Sequence, residues 1–108
     1  MSYNITIKKG TDFSRSFAVS ESQIATDITG YTFEGTLKER YTSTDSVSFT
    51  MTTIQPPEQG IFQASLTDTI TSQMDPGTWV YDIVMTTDSG DKIRILEGNA
   101  FISQGVTP

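Results

Sequence analysis

The stretch that decides the fold is residues 75–86, which read Asp-Pro-Gly-Thr-Trp-Val-Tyr-Asp-Ile-Val-Met-Thr. From Trp79 to Thr86 every second side chain is large and apolar, and the positions between them are largely apolar too, interrupted by Asp82. A period of two residues is that of a β-strand, since successive side chains point to opposite faces. Because nearly both faces are apolar, we expect this strand to lie at the centre of a sheet.

The residues before this strand predict a tight turn. Asp75-Pro76-Gly77 places proline and glycine where a type II turn uses them. Together with Trp79 and Tyr81 they match the Asp-x-Gly-x-aromatic pattern at the corner before strand F of immunoglobulin-like folds. A lone tryptophan on a central strand indicates core packing more than an exposed aromatic platform for carbohydrate or peptide.

Alternation of the same kind continues on both sides of this stretch and predicts about seven short strands separated by turns. The predicted strands are residues 3–9, residues 12–19, residues 31–39, a fourth with Val47, Phe49 and Met51, a fifth with Phe62, Ala64 and Leu66, the strand from Trp79, and a seventh from Lys92 towards Ser103. This pattern is typical of an all-β, immunoglobulin-like β-sandwich. One short helical turn is expected near residues 67–74, where Thr67 or Asp68 can cap it.

Four local features qualify this picture. Arg15 falls on the inner face of the second strand, so either it extends to the edge of the sheet or a bulge shifts the register. Gly35 marks a close approach or a bend. The alternation changes phase near Leu96-Glu97-Gly98, which predicts a bulge there. Asp88-Ser89-Gly90-Asp91 predicts a hairpin turn.

The length of 108 residues predicts one domain over residues 1–108, with a core in residues 1–103 and a tail or docking strand in residues 104–108. We expect the core to be built from large inward-facing side chains. These are Phe13, Phe17, Phe33, Leu37, Phe62, Leu66, Trp79, Tyr81 and Ile83.

Composition argues against most enzyme classes. The chain has no cysteine and no histidine, which removes thiolate nucleophiles, disulfides, Ser-His-Asp arrangements and histidine-ligated metals together. Carboxylates are scattered over loops and strand ends, apart from Asp82, which we expect to pair with Arg94 or accept hydrogen bonds. Asp88-Ser89-Gly90-Asp91 lacks the ligand spacing of a calcium loop. We predict no catalytic residues, no metal and no cofactor.

The charge balance bears on partners. Thirteen acidic residues against seven basic ones give a net charge of −6, which argues against nucleic acid and anionic membranes as partners. No apolar run approaches the length of a membrane helix or of a signal-peptide core. The sequence is that expected of a soluble protein made in the cytoplasm.

The order of elements resembles a known group of proteins. It runs from Ile5-Thr6-Ile7-Lys8-Lys9-Gly10-Thr11-Asp12-Phe13 through Asp27-Ile28-Thr29-Gly30-Tyr31, Gly60-Ile61-Phe62 and Gly77-Thr78-Trp79-Val80-Tyr81 to Arg94-Ile95-Leu96-Glu97-Gly98. Together this resembles small structural proteins of tailed-bacteriophage particles and, more distantly, the N-terminal β-sandwich of upper baseplate proteins. The likeness covers nearly the whole chain, but it rests on turn and core residues and carries no site residues.

The resemblance implies a non-enzymatic component of a phage particle, made in the host cytoplasm and located in the virion. It implies an adaptor in the tail, baseplate or fibre attachment, or a protein that decorates the head. The implied partners are other virion proteins, in multiple copies, with a homo-oligomer also open, and exposed edge strands suit such contacts. From the residues, a carbohydrate-binding module using Tyr41, Tyr31 or Trp79 remains an alternative, and a carboxylate-based hydrolase using Asp82 ranks below it.

Overall fold

The computed structural model describes residues 3–21 and 23–105, and these residues fold mainly into β-strands. Within these residues there are ten strands, one α-helical turn, α1 (Asp68–Thr71), and one 3-10 turn (Pro57–Gln59). The strands are β1 (Ile5–Lys8), β2 (Phe13–Ala18), β3 (Ser20–Glu21), β4 (Ile24–Ala25), β5 (Thr32–Lys38), β6 (Val47–Ser48), β7 (Thr50–Thr53), β8 (Ile61–Leu66), β9 (Gly77–Thr86) and β10 (Lys92–Ser103).

Two sheets form a sandwich. The large sheet has the order β1-β10-β9-β5-β6 and the small sheet the order β2-β8-β7, while β3 and β4 form a separate short hairpin. The neighbours β10-β9-β5 and β2-β8-β7 correspond to the G-F-C and B-E-D strands of an immunoglobulin-type sandwich. The prediction of an all-β, immunoglobulin-like sandwich is confirmed, and β9, which carries Trp79, lies inside the large sheet as its sequence predicts.

The first strand joins the large sheet. β1 pairs in parallel with β10, with Ile5 opposite Ala100 and Lys8 opposite Ser103. Backbone hydrogen bonds extend this pairing beyond both ends of β1: Tyr3 N–H donates to the Glu97 carbonyl at 2.8 Å and Lys9 N–H to the Ser103 carbonyl at 2.9 Å. Because β1 lies on the large sheet, it does not cover the outer side of β2.

The count of about seven strands is corrected by two features. The predicted fourth strand divides at Phe49: β6 pairs with β5 in the large sheet, and β7 pairs with β8 in the small sheet. Phe49 bridges the change, since its N–H donates to the Gly35 carbonyl at 2.9 Å and its ring is buried. Residues 47–53 therefore cross from one sheet to the other without losing their alternation. The hairpin of β3 and β4 is too short to show alternation.

The core lies between the facing sheets. Of the nine side chains expected there, Phe13, Leu37, Phe62, Leu66, Trp79, Tyr81 and Ile83 are buried. Phe17 and Phe33 are half-buried and pack against this cluster. Phe62 joins them, with its ring centroid 4.2 Å from that of Phe33 and 5.5 Å from that of Phe17. Gly35 makes room for Phe49, because a Cβ at position 35 would lie 2.6 Å from the Phe49 ring.

The helical turn lies within the predicted segment and connects the sheets. The Thr67 side chain caps α1 by accepting from Ile70 N–H at 3.4 Å. Thr71, fully buried, donates from its hydroxyl to the Thr11 carbonyl at 2.7 Å and accepts from Gly10 N–H at 3.1 Å. These bonds hold the loop between β1 and β2, the point at which the chain passes from the large sheet to the small one.

Two register questions are settled by the strand pairing. The predicted bulge is present in β10, but it lies between Arg94 and Leu96, just before the expected Leu96-Glu97-Gly98. Ile95 is the extra residue, and the shift turns Leu96 inward. β2 pairs with β8 without any shift, so Arg15 keeps its inner-face position and extends along the sheet edge.

The corner before β9 holds both aromatic side chains of the predicted pattern. Trp79 donates from Nε1 to the Asp75 carbonyl at 2.9 Å, and its side chain is buried. Tyr81, buried two residues later, donates its hydroxyl to the Tyr3 carbonyl. Tyr81 therefore binds the N-terminal segment to the large sheet.

Candidate interaction surfaces

The outer side of β2 is an open sheet edge. Val19 N–H donates to the Gly60 carbonyl at 2.7 Å, and antiparallel pairs alternate between hydrogen-bonded and non-hydrogen-bonded. The β2–β8 register then directs the backbone groups of Phe13, Arg15 and Phe17 towards β8. The N–H and C=O groups of the residues between them, Ser14, Ser16 and Ala18, point away from the sheet, and no strand within residues 3–21 and 23–105 pairs with them.

The side chains along this edge are small. Ser14, Ser16 and Ala18 are exposed on the outer face of the small sheet, so they offer little bulk against an approaching strand. β2 has six residues, whereas β1 and β7 have four and β6 has two. Proteins that avoid edge pairing use very short or charged edge strands. β2 shows neither feature on its outer face.

An apolar groove opens beside this edge, between the two sheets. We call it the edge groove, and it is lined by Tyr3, Phe17, Val19, Phe62, Ile95 and Leu96. Its volume is about 490 Å³. The groove lies where β10 is bulged at Ile95 and before the start of β1 at Ile5, and no strand within residues 3–21 and 23–105 covers it.

Arg15 contacts Tyr3, one of the residues that line the edge groove. Its guanidinium donates to the Tyr3 hydroxyl, and its Cζ atom lies 5.8 Å from the centre of the Tyr3 ring. The Tyr3 ring also meets the Phe17 ring edge-on, with centroids 5.9 Å apart. Among the side chains that the structure describes, no carboxylate forms an ion pair with Arg15. The groove therefore has an apolar floor and a positive charge at its rim.

A second, polar depression lies on the outer face of the large sheet. It is lined by Thr36, Lys38, Tyr41, Val80, Tyr81, Asp82, Arg94 and Glu97 and has a volume of about 200 Å³. Tyr41 stands at its rim with 79% of its surface exposed. A threonine hydroxyl, charged groups and an exposed aromatic ring are thus present together on an open surface.

Asp82 forms the ion pair expected from the sequence. Its Oδ2 atom lies 3.3 Å from Nε of Arg94, and Nη1 of Arg94 lies 3.8 Å from Oε2 of Glu97. One guanidinium thus lies beside both carboxylates, and its single positive charge offsets one of their two negative charges. Asp82 is 36% exposed on an open face, which differs from the enclosed, desolvated setting in which a carboxyl group acts as a general acid.

The remaining candidate residues are not brought together. Tyr31 is half-buried, Trp79 is buried in the core, and Tyr41 is exposed beyond β5. In the Asp88–Asp91 turn, Thr87 Oγ1 accepts from Asp91 N–H at 3.1 Å, and Gly90 N–H donates to the Thr87 carbonyl at 3.0 Å. No group of three or more metal-ligating side chains occurs in the described part of the chain. Tyr31, Tyr41 and Trp79 therefore form no joint aromatic platform.

The sequence does not predict the edge groove, because the groove depends on the order of the strands in the two sheets. Its residues lie in four separate segments of the chain, and each carries an ordinary strand pattern. The change of phase near Leu96-Glu97-Gly98 is the local signal, since bulges are over-represented next to functional sites.

Comparison with known proteins adds no family to these observations. No helix within the described residues is long and apolar enough to cross a membrane. Neither the protein-family models nor the curated proteins contain a match to this chain.

Proposed function

We propose that this chain is a non-enzymatic assembly domain of a bacteriophage particle, acting as an adaptor in the tail, the baseplate or the attachment of fibres. The observation that carries the proposal is the open edge of β2 with the edge groove beside it. An edge strand with unpaired backbone groups is a hazard for an isolated protein and a means of joining for an assembly component. The phage setting comes from the resemblance of the sequence.

Several properties support a role in binding. The buried aromatic and aliphatic side chains are used in closing the sandwich, and the polar side chains of the large sheet are engaged with each other, as in the Asp82–Arg94 pair. In a symmetric particle many copies act together, so a modest interface on each copy suffices for a stable attachment. A net charge of −6 favours protein partners over nucleic acid.

The test is to look for the chain in purified particles. Phage particles produced in cells that carry the gene are purified on a density gradient and analysed by quantitative mass spectrometry. We expect the chain in fixed proportion to a tail protein. Its absence from intact particles would contradict the proposal. Separation of heads from tails distinguishes the adaptor from the alternative role of head decoration, since a decoration protein would follow the heads.

A carbohydrate-binding module is the second candidate, and the exposed ring of Tyr41 beside the polar depression favours it. Protein carbohydrate sites combine an aromatic platform with hydrogen-bonding side chains, and Thr36, Lys38 and Asp82 line this depression. Binding of the protein to a glycan array tests this candidate. It predicts that Tyr41→Ala abolishes binding whereas Tyr41→Phe, which keeps the ring, retains it. An array without any bound glycan would dismiss the candidate.

A further inference from the structure

The position next to β2 is the place in the sandwich where one more strand fits. An immunoglobulin constant-type sheet has the order A-B-E-D, with the first strand beside strand B. Here β2, β8 and β7 occupy the B, E and D positions, while β1 pairs with β10 in the other sheet. The small sheet therefore ends at β2, and the described residues leave the first position of that sheet without a strand.

The backbone of β2 has outward hydrogen-bonding groups that could pair with such a strand. Ser14, Ser16 and Ala18 present their N–H and C=O groups outward at intervals of two residues, which is the spacing that an added strand requires. The exposed side chains at these positions are small. Strand addition to an exposed edge gives affinity through main-chain hydrogen bonds and specificity through pockets for alternate side chains.

The edge groove supplies the pocket. Side chains of an added strand alternate between the outer face and the face towards the large sheet. Those on the inner side would lie beside Phe17 and Val19 and enter the groove lined by Ile95 and Leu96. Burial of an aliphatic side chain in such a groove favours binding, because apolar surface is removed from water. The occupant therefore has apolar residues at alternate positions.

The positive charge near β2 indicates which charged side chain the added strand would carry. Residues 3–18 contain Lys8, Lys9 and Arg15 but one acid, Asp12, in a chain whose acids outnumber its bases 13 to 7. Asp12 is engaged within the fold, since its Oδ1 accepts from Asp68 N–H at 2.8 Å. An added strand would therefore place an acidic side chain opposite Arg15, where opposite charges on neighbouring strands attract.

The same charge opposes pairing with a second copy. Two copies could pair their β2 strands antiparallel, with the middle of one strand opposite the middle of the other and both edge grooves on the same face. The two Arg15 side chains would then lie directly opposite each other or diagonally across the interface. Cross-strand neighbours in these positions are about 4.5–8 Å apart, and like charges there are destabilising. A foreign strand with an acidic residue avoids this repulsion.

We infer that β2 accepts an extended segment of another particle protein as an additional strand of the small sheet, with apolar side chains in the edge groove and an acidic side chain opposite Arg15. This inference rests on the proposed function, because it names the partner of the assembly domain.

Amide hydrogen exchange on the native chain tests the inference. Exchange is compared between the free protein and the protein in purified particles, with fragmentation to single residues in the mass spectrometer. We expect the amides of Ser14, Ser16 and Ala18 to exchange at least tenfold more slowly in the particle, because new backbone hydrogen bonds protect them. The matched controls are the outward amides of Met51 and Thr53 on the opposite edge strand, β7.

Two pairs of variants test the contacts. Ser16→Pro removes one outward N–H without removing a bond to β8, and Thr53→Pro is the matched change on β7. We expect at least tenfold less incorporation into particles for Ser16→Pro and unchanged incorporation for Thr53→Pro. Should Ser16→Pro fail to fold, Arg15→Glu provides the same readout through charge repulsion, with Lys92→Glu, an exposed reversal at the far end of β10, as its control.

The outcomes separate this inference from the proposed function. If the chain is present in particles but exchange at Ser14, Ser16 and Ala18 is unchanged, the inference is wrong and the assembly role stands. If the chain is absent from particles, the proposed function fails first. Slow exchange in the free protein that depends on its concentration would assign the edge to a second copy and overturn the inference of a foreign strand.

Discussion

At the scale of single residues, Tyr81 connects the N-terminal segment to the large sheet. Its hydroxyl donates to the Tyr3 carbonyl, 78 positions away in sequence. Burial, and to a smaller extent the neighbouring Tyr3, raise the pKa of Tyr81 to about 12, against an ordinary value of 10.0. Since a phenolate cannot donate a hydrogen bond, the N-terminal segment is held in place by the neutral form of this side chain.

This gives a prediction for the dependence of stability on pH. Between pH 10 and pH 12 the unfolded chain releases the Tyr81 proton while the folded chain retains it, so the free energy of unfolding falls as pH rises through this range. Tyr81→Phe should lower the free energy of unfolding at pH 7 by about 1 kcal/mol and make the decline above pH 10 shallower. Urea denaturation at a series of pH values measures both effects.

Tyr41→Phe is the matched control, because Tyr41 is exposed and forms no hydrogen bond within the described residues. It should leave the stability at pH 7 and the pH profile unchanged. If the profiles of Tyr81→Phe and the parent protein coincide above pH 10, Tyr81 does not titrate as described.

Gly98 is the second residue on which the N-terminal segment depends. The Tyr3 carbonyl lies so close to its Cα that a Cβ would overlap it, and Asn99 N–H donates to Asn4 Oδ1 at 3.0 Å beside it. Gly98→Ala should therefore displace residues 3–4 and lower the free energy of unfolding by about 1–3 kcal/mol. Urea denaturation checks this, with Ser103→Ala, an exposed change on the same strand, as the control. Equal stability of the two variants would show that the segment moves without cost.

At the scale of elements, the turn α1 determines where the first two strands go. Thr71 and Asp68 bind the loop between β1 and β2 through Gly10, Thr11 and Asp12. The loop is thereby fixed where β1 turns towards the large sheet and β2 towards the small one. A single helical turn thus sets the relation of two strands that do not pair with each other.

Thr71→Val tests this connection. Valine has nearly the same shape but neither donates to the Thr11 carbonyl nor accepts from Gly10 N–H, so two backbone groups near the core lose their partner. We expect a loss of about 1–3 kcal/mol in the free energy of unfolding. Thr69→Val, on the exposed side of the same turn, should change it by less than about 0.5 kcal/mol. Similar losses for both variants would mean that the hydroxyl of Thr71 is not what holds the loop.

The sequence predicts elements far better than their pairing. Alternation identifies the seven principal strands, because the period of two residues is a local property. It does not reveal the change of sheet at Phe49, since inward and outward positions continue unchanged through residues 47–53. Nor does the phase change near Leu96-Glu97-Gly98 fix the exact position of the bulge, which lies at Ile95. The small size of Gly98 instead allows the close approach of the Tyr3 carbonyl.

At the scale of the whole molecule, the sheets share one core and should unfold together. Phe49 and Tyr81, from different parts of the chain, meet edge-on with ring centroids 6.3 Å apart, and Phe13 packs against Phe49 from the small sheet. Trp79 is the one tryptophan and reports on this core. We expect its fluorescence and the far-ultraviolet circular dichroism to give the same unfolding midpoint, as in two-state unfolding. Two separated midpoints would indicate independent units.

The sequence does not predict the open edge of β2, for a reason at this same scale. Whether β2 lies inside or at the edge of its sheet depends on where β1 pairs, and this is a contact between residues 5–8 and 100–103. The absence of histidine and cysteine limits the chemistry available to the chain, but it says nothing about which edge is open. Composition therefore bears on the class of function, and the pairing of the strands determines which sheet edge is open.

The parallel pairing of β1 with β10 also has a mechanical consequence. Tension applied at Tyr3 and at Ser103 pulls these two strands in opposite directions along their length, because the two attachment points lie at opposite ends of the pair. The rungs between them, including those from Tyr3 to Glu97 and from Lys9 to Ser103, then carry the load side by side and must rupture together. A sandwich loaded in this shear direction resists stretching far better than one whose terminal strands peel apart rung by rung.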